Sequence, residues 1–165
     1  MIRKPKTNIL RRRIAFALLL VACLSSVVPA QERETERPVR LKDLPQAAQA
    51  QVRTVSRGAV VRGLSMETKD NRTYYEVSLS VKGRIRDVLI DPEGNVVEIE
   101  EQTPLASLPP AARAEIVKQA GKGRILTVES ITKNNAIVAF EAHVRTAGKI
   151  SEIKVDPDGK PLSPE

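Results

Sequence analysis

The sequence predicts an α+β protein made of two tandem α-β-β-β-(β) repeats, in which an antiparallel sheet carries one helix per repeat on one face. The chain repeats itself: Tyr75-Glu76-Val77 returns as Phe140-Glu141-Ala142, and Asp91-Pro92-Glu93-Gly94 returns at the same offset as Asp156-Pro157-Asp158-Gly159. In each copy, apolar residues at helical spacing are followed by alternating apolar and polar residues. An internal repeat of this length defines the folding unit, and the periodicity identifies its elements.

The N-terminal segment, residues 1–30, has the pattern of a secretory signal peptide. Basic residues from Arg3 to Arg13 precede an apolar run, and Val28-Pro29-Ala30 supplies a cleavage site, so the segment is expected to be removed. A second interpretation stays open, because Leu20-Val21-Ala22-Cys23 also resembles a lipoprotein signal in which Cys23 is lipidated. We therefore expect an exported protein, periplasmic or secreted, with a lipid anchor to the envelope as the alternative.

Most of the basic excess of the chain lies in this leader. The chain has 27 Lys+Arg and 20 Asp+Glu, and removal of the six basic residues of the leader leaves 21 basic residues against 20 acidic ones. Aromatic residues, which would stack on bases, make up only 2% of the chain. Nucleic acid is therefore not an expected partner, and a membrane is expected only if Cys23 is lipidated.

The elements follow from the patterns in order. Residues 31–40 are polar and charged and predict a flexible linker. The first repeat, residues 41–101, starts with a helix for which Asp43 is the expected N-cap, and Ser107 has this role in the second repeat, residues 102–165. Each helix has an apolar stripe. The stripes are Leu44, Ala47, Ala48, Val52 and Val55 in the first helix, and Leu108, Ala111, Ala112, Ile116 and Ala120 in the second.

Strands follow each helix. In the first repeat they are predicted at Val60–Thr68, Thr73–Lys82 and Arg84–Ile90, with a fourth at Val96–Ile99. The second repeat ends in a short Pro161-Leu162 stretch, which predicts a vestigial or edge strand. The two repeats could share one continuous sheet or form separate lobes, and the sequence leaves both arrangements open.

Alternation along the strands also separates a packed face from a polar face. Tyr75, Val77 and Leu79 point to one side of their strand, so their neighbours point to the other. The same pattern holds in the second repeat, which places polar residues of both copies on one face. The candidate partner-binding residues on this face are Tyr74, Glu76, Ser78, Glu141, His143 and Arg145.

The ordered motifs resemble the PepSY-like family, and in particular its β-lactamase-inhibitor-like branch. The matching features are a Leu-Pro helix start, a Gly after the helix, the Tyr74-Tyr75-Glu76-Val77 strand and an Asp-Pro-x-Gly turn before the last strand. They cover about Leu41 to Ile99 and again Leu105 to Leu162. The resemblance implies an exported, non-catalytic module that binds proteins or inhibits a peptidase, as tandem inhibitors do with a concave sheet.

Catalytic and metal-binding alternatives are weaker on the residues themselves. His143 is the only histidine, so a transition-metal site with a second His or a Cys is not expected. Glu76 and Glu141 could form paired carboxylates if the copies face each other, but solvated strand positions are the simpler interpretation. We expect no enzyme, no cofactor and no metal. The alternative to a binding module is a structural or stress-associated envelope protein without an enzyme target.

Overall fold

The computed structural model describes residues 35–69 and 71–163. The predictions for the signal peptide, for Cys23 and for the first part of the linker lie outside these residues. Two helices are described, α1 at Gln46–Val55 and α2 at Pro110–Ala120, each preceded by a short 3-10 turn, Leu41–Asp43 and Leu105–Ser107. The strands are β1 Thr35–Pro38, β2 Val60–Lys69, β3 Arg72–Val81, β4 Arg84–Ile90, β5 Val96–Gln102, β6 Arg124–Lys133, β7 Ala136–Thr146, β8 Lys149–Val155 and β9 Pro161–Leu162.

These strands form one antiparallel sheet in sequence order, from β1 to β9. The order follows from the short connections, because Lys82-Gly83, Asn134-Asn135 and Ala147-Gly148 all have positive φ at both residues, as two-residue hairpin turns require. The connection between β5 and β6 contains α2 instead. These strands still pair, from Ile99 with Thr132 to Gln102 with Glu129. The structure therefore has one continuous sheet and not the two separate lobes that the sequence also allowed.

Both helices pack on the same face of this sheet. Ala48 and Val52 of α1 belong to one core cluster with Val77 and Leu79 of β3. A second cluster joins α2 to β7 and β8, with Ile116 fully buried. The predicted strand faces and most of the predicted helical stripes thus produce the α+β architecture, although Ala47 and Ala111 of those stripes are exposed. No helix among the described residues is long and apolar enough to cross a membrane.

The helices begin later than predicted, and neither predicted N-cap forms. Pro45 is the N-cap of α1 and Pro109 that of α2. A residue before proline avoids the helical region, and Leu44 accordingly has an extended ψ of 158°, which separates Asp43 from the helix. The Asp43 carboxylate instead accepts a hydrogen bond from Arg40 at 2.7 Å.

The expectation of a flexible linker over residues 31–40 is wrong for the part that the structure describes. Residues Thr35–Pro38 form β1, which pairs with β2 from Thr35 opposite Thr68 to Pro38 opposite Ser65. Polar composition concealed this strand, because an edge strand gains its backbone hydrogen bonds from a neighbour and needs few apolar side chains of its own.

The two Asp-Pro-x-Gly turns touch the helices as well as reversing the chain. Gly94 has φ +88° and lies so close to α1 that an added Cβ would be 2.8 Å from the carbonyl oxygen of Ala47. Gly159 has the same relation to Ala111 of α2, at 2.7 Å. Glycine allows both the backbone conformation and the close approach.

Replacing Gly94 by alanine should therefore destabilise the protein more than the same change at Gly83. Both positions have positive φ, which costs a β-carbon about 1–2 kcal/mol, but an added Cβ at Gly83 meets nothing within 4 Å. Gly94→Ala adds overpacking against α1, worth about 1–3 kcal/mol more. Urea unfolding of both variants measures the difference, and equal losses would show that the contact with α1 costs nothing.

Candidate functional site

The face of the sheet opposite the helices forms a cavity of about 400 Å³. Side chains from β1 to β5 and from β7 and β8 line this single cavity, so the sheet must curve strongly to bring its distant strands together. We call this site the acidic cavity. Its lining residues are Glu36, Glu67, Lys69, Glu76, Asp87, Leu89, Glu98, Glu100, Glu141, Glu152 and Lys154.

Negative charge dominates this lining. Eight of the residues are carboxylates and two are lysines, although the chain outside its leader has nearly balanced charge. Some of these carboxylates have a nearby cation. Lys133 Nζ lies 2.9 Å from Glu98 Oε2, and Lys154 Nζ lies 3.8 Å from Glu141 Oε2. Because carboxylates outnumber the lysines, the acidic cavity keeps an excess of negative charge after its internal ion pairs are formed.

Glu76 shows the energetic effect of this crowding. Burial raises its pKa to about 7, and the charges of Asp87 and Glu36 act in the same direction. A carboxylate that leaves water and faces other carboxylates holds its proton more tightly, because both effects disfavour the charged form. Glu76 therefore changes its protonation near neutral pH.

Glu100 is perturbed further, and its position in the sheet explains why. Its cross-strand neighbour on the β6 side is Ile131, which is fully buried. Burial raises the pKa of Glu100 to about 8, and the charges of Glu98 and Glu141 raise it as well. At neutral pH a protonated Glu100 can share its proton with Glu98 in a side-chain hydrogen bond.

A second group of charges surrounds His143. Its Nε2 lies 3.5 Å from Glu141 Oε1 and 3.8 Å from Glu129 Oε2, while its Nδ1 lies 3.8 Å from Glu152 Oε1. Burial raises the pKa of Glu129 and of Glu141. Ligand atoms of Glu129, Glu141 and His143 lie within 4.8 Å of one another, close enough to hold a cation. Contact with the His143 side chain is the simpler role for these carboxylates.

The structure places the six predicted contact residues on the predicted face but does not gather all of them. Glu76 and Glu141 line the acidic cavity, and His143 contacts Glu141 beside it. The lining does not include Tyr74 and Ser78, which are opposite Glu67 and Asp87 in the ladder. Arg145 is exposed near the β7–β8 turn.

Sequence reasoning missed most of the acidic cavity. The alternation Glu98-Ile99-Glu100 in β5 was a signal for two of its carboxylates, since alternate residues of a strand share a face. Glu152 has the same signal, because it alternates with Ile153 in β8, but Glu36 had none, because β1 was not predicted as a strand. Their strands lie at opposite ends of the sheet, and only its curvature brings them to one cavity.

No protein-family model matches the chain, and no curated protein matches it significantly. Several solved structures do. A periplasmic protein from Bacteroides eggerthii matches with a TM-score of 0.59 at 17% identity, over 73% of this chain and 86% of that one. A DUF2874 family protein from Bacteroides ovatus matches with a TM-score of 0.56 at 16% identity, over 73% of this chain and 85% of that one.

A BLIP-like protein from Bacteroides fragilis also matches, with a TM-score of 0.52 at 21% identity, over 73% of this chain and 84% of that one. At these identities the similarity shows a shared α+β fold. The periplasmic description of the Bacteroides eggerthii protein agrees with the export that the sequence predicts for this chain.

The acidic cavity should make the protein less stable as the pH rises. The folded-state pKa values of Glu76 and Glu100, about 7 and 8, lie above the ordinary value of 4.5. Between these limits the folded chain binds more protons at these two groups than the unfolded chain. Their contribution to the free energy of unfolding is therefore complete below about pH 4.5 and is lost as the pH rises to about 8. Glu100→Gln keeps a neutral side chain and should be more stable than the wild type at pH 8, with the gain vanishing near pH 4.5.

Chemical unfolding at several pH values tests this expectation. Glu93→Gln provides the matched control, because Glu93 is exposed in the β4–β5 turn, outside the acidic cavity. An identical pH dependence in Glu100→Gln and the wild type would contradict the assignment of this slope to Glu100.

Proposed function

We propose that this chain is an exported, non-catalytic protein-binding module of the cell envelope, and that its acidic cavity binds a cationic surface on an exported partner. The observation that carries the proposal is the collection of eight carboxylates with two lysines in one cavity. Opposite charge on a partner steers association and fixes its orientation. The same charge distribution disfavours nucleic acid, whose phosphates would be repelled.

The shifted pKa values support a binding role for the acidic cavity. Glu76 and Glu100 hold their protons near neutral pH because burial, and after it the neighbouring negative charges, raise both pKa values. A lysine or arginine from a partner would lower both pKa values by favouring the ionised carboxylates. Part of the repulsion within the free protein would then be relieved in the complex, which favours binding.

The family assignment belongs to the same proposal. The ordered motifs favour two PepSY-like repeats, residues 41–101 and 102–165, behind a signal peptide, and the similarity to a BLIP-like structure supports the inhibitor-like branch. On this basis an exported enzyme such as a peptidase is the proposed target. Glu76, Glu141 and His143 are the predicted contact residues that lie at or beside the acidic cavity.

A pull-down from an envelope extract of the native host tests the proposal directly. The bait is the exported chain, compared with a Glu76→Gln/Glu141→Gln variant and with the exposed control Glu93→Gln. We expect one stoichiometric exported protein on the wild type and the control, and much less on the double variant. Mass spectrometry identifies the partner and the native N-terminus of the bait, which decides between cleavage after Ala30 and lipidation at Cys23.

The complex with this partner should weaken as salt increases or as the pH falls. Raising the ionic strength from about 0.05 to about 0.5 M shortens the screening length several-fold and weakens exposed charge pairs. Acidification below about pH 7 protonates Glu76 as well as Glu100 and removes negative charge from the cavity. Surface plasmon resonance with the captured partner measures both effects.

Two outcomes would contradict the proposal. Equal capture by the wild type and the double variant would place the contact outside the acidic cavity. A lipidated chain with no stoichiometric partner would favour the alternative, a structural or stress-associated envelope protein without an enzyme target.

A further inference from the structure

The two halves of the sheet differ at one edge. β4 and β8 are the corresponding third strands after α1 and α2, because Val88 and Ile153 are related by the same offset as the repeated motifs. On its outer side β4 pairs with β5 from Arg86 to Ile90. Over residues 35–69 and 71–163, β8 pairs on that side only at Lys154 and Val155, with the two-residue strand β9. The edge from Lys149 to Ile153 is left open.

Side chains at corresponding positions of β4 and β8 differ in exposure, because no described strand pairs with β8 over most of its outer side. Ile85 of β4 is half-buried, whereas its counterpart Ile150 of β8 is 56% exposed. Asp87 is also half-buried, and its counterpart Glu152 is exposed. The same positions are thus covered in one half of the molecule and open in the other.

The register identifies the backbone groups at this open edge. Antiparallel pairs alternate between residues that bond each other and residues whose N–H and C=O point outward. Counting from the Ala147-Gly148 turn, Thr146 and Lys149 bond each other, so Ile150 and Glu152 direct their backbone groups away from β7. In β4 the corresponding outward N–H, that of Ile85, donates to Gln102 Oε1 of β5 at 3.4 Å.

The edge formed by β1 and β2 is protected against pairing with another chain. β1 has four residues and ends at Pro38. The part of β2 beyond β1 has an irregular register between Val61 and Gly63. In contrast, β8 runs without a register shift from Val155 to Lys149. Prolines, bulges and charged side chains discourage strand addition. The open part of β8 has no proline and no bulge, and its exposed charges, Lys149 and Glu152, restrict pairing to a strand of complementary charge.

The negative charge at the open edge of β8 favours a partner segment with a basic residue. Glu152 lies at the open edge on the same face as Glu141 and Glu129, and all three surround His143. An added strand places one side chain directly opposite Glu152, where a like charge is unfavourable and an opposite charge stabilises the pair.

We propose that the outer edge of β8, from Lys149 to Ile153, binds an extended segment of an exported partner protein, which adds to the sheet as an antiparallel strand with a Lys or Arg opposite Glu152. Backbone hydrogen bonds at Ile150 and Glu152 supply the affinity, and the charge opposite Glu152 supplies selectivity. Glu152 also belongs to the lining of the acidic cavity, whereas Ile150 does not. Protection of the Ile150 amide therefore distinguishes strand addition at this edge from binding within the cavity.

A peptide derived from β5, the strand that pairs with β4, is the probe for this edge. A synthetic peptide with the sequence of residues 96–103 and the change E100K places lysine opposite Glu152, because residue 100 lies opposite Asp87 in β4. Titrated to about 1 mM, where weak complexes are populated, it should shift the NMR signals of Lys149 to Ile153 in the exported chain. Amide exchange should slow at Ile150 and Glu152 and change little at Ser151, which already bonds to β7.

Matched variants separate backbone pairing from charge. The unmodified peptide, with Glu opposite Glu152, should bind about five-fold more weakly or worse. Glu152→Lys should reverse this preference. Ile150→Pro should abolish binding because it removes an outward N–H, whereas Ile150→Thr keeps that N–H and should retain binding. Glu93→Gln, in the exposed β4–β5 turn outside the acidic cavity, should leave peptide binding unchanged.

Several results would overturn the proposal. One is that the peptide does not shift the NMR signals of β8 in the folded wild type, or shifts only signals within the acidic cavity. Another is that Glu152→Lys does not change which peptide binds more tightly. Concentration-dependent dimerisation that protects the same two amides without peptide would assign the edge to a second copy of this chain instead. If Ile150→Pro does not fold, the charge reversal and the wild-type amide exchange still decide.

Discussion

The pairing of β5 with β6 is the constraint on which the rest of the structure depends. Among the described strands, four residue pairs from Ile99 with Thr132 to Gln102 with Glu129 join the half of the sheet under α1 to the half under α2. This pairing makes one curved layer out of two small units, each too small to bury much surface alone. It also places Glu100 beside the buried Ile131, so the strand that closes the fold carries the most perturbed carboxylate of the acidic cavity.

The acidic cavity works against the stability that this pairing provides. A carboxylate in a solvated position would cost nothing, but Glu76 and Glu100 are held where burial and neighbouring charges raise their pKa values. Departures from the best local choice of residue are typical of functional sites, where stability is given up for binding. The helix-covered face shows no such conflict, since its clusters combine aliphatic and aromatic side chains with buried alanines. The helix-covered face of the sheet therefore stabilises the fold, and the polar face is where we expect a partner to bind.

Much of the fold could be predicted because its signals are local. The strand alternation around Val77 assigned each side chain to its face, and β4 was predicted with its observed bounds, Arg84–Ile90. The helix starts were wrong because the effect of Pro45 and Pro109 on the preceding residue outweighed the capping preference of Asp43 and Ser107. β1 was missed because its pairing partner, and not its own composition, makes it a strand. Of the acidic cavity, the sequence pointed to Glu76 and Glu141 and missed the carboxylates of β1, β2, β4, β5 and β8.

The sequence by itself determined the period of each segment and the packed and polar faces of its strands. These properties depend on turn chemistry and on residues that are close together in the sequence. Only the tertiary structure decided that the strands form one sheet, that carboxylates from β1 to β8 meet in one cavity and that β8 keeps an open edge. Those features depend on the pairing of β5 with β6 and on the curvature of the sheet, and both arise from contacts between residues that are distant in sequence.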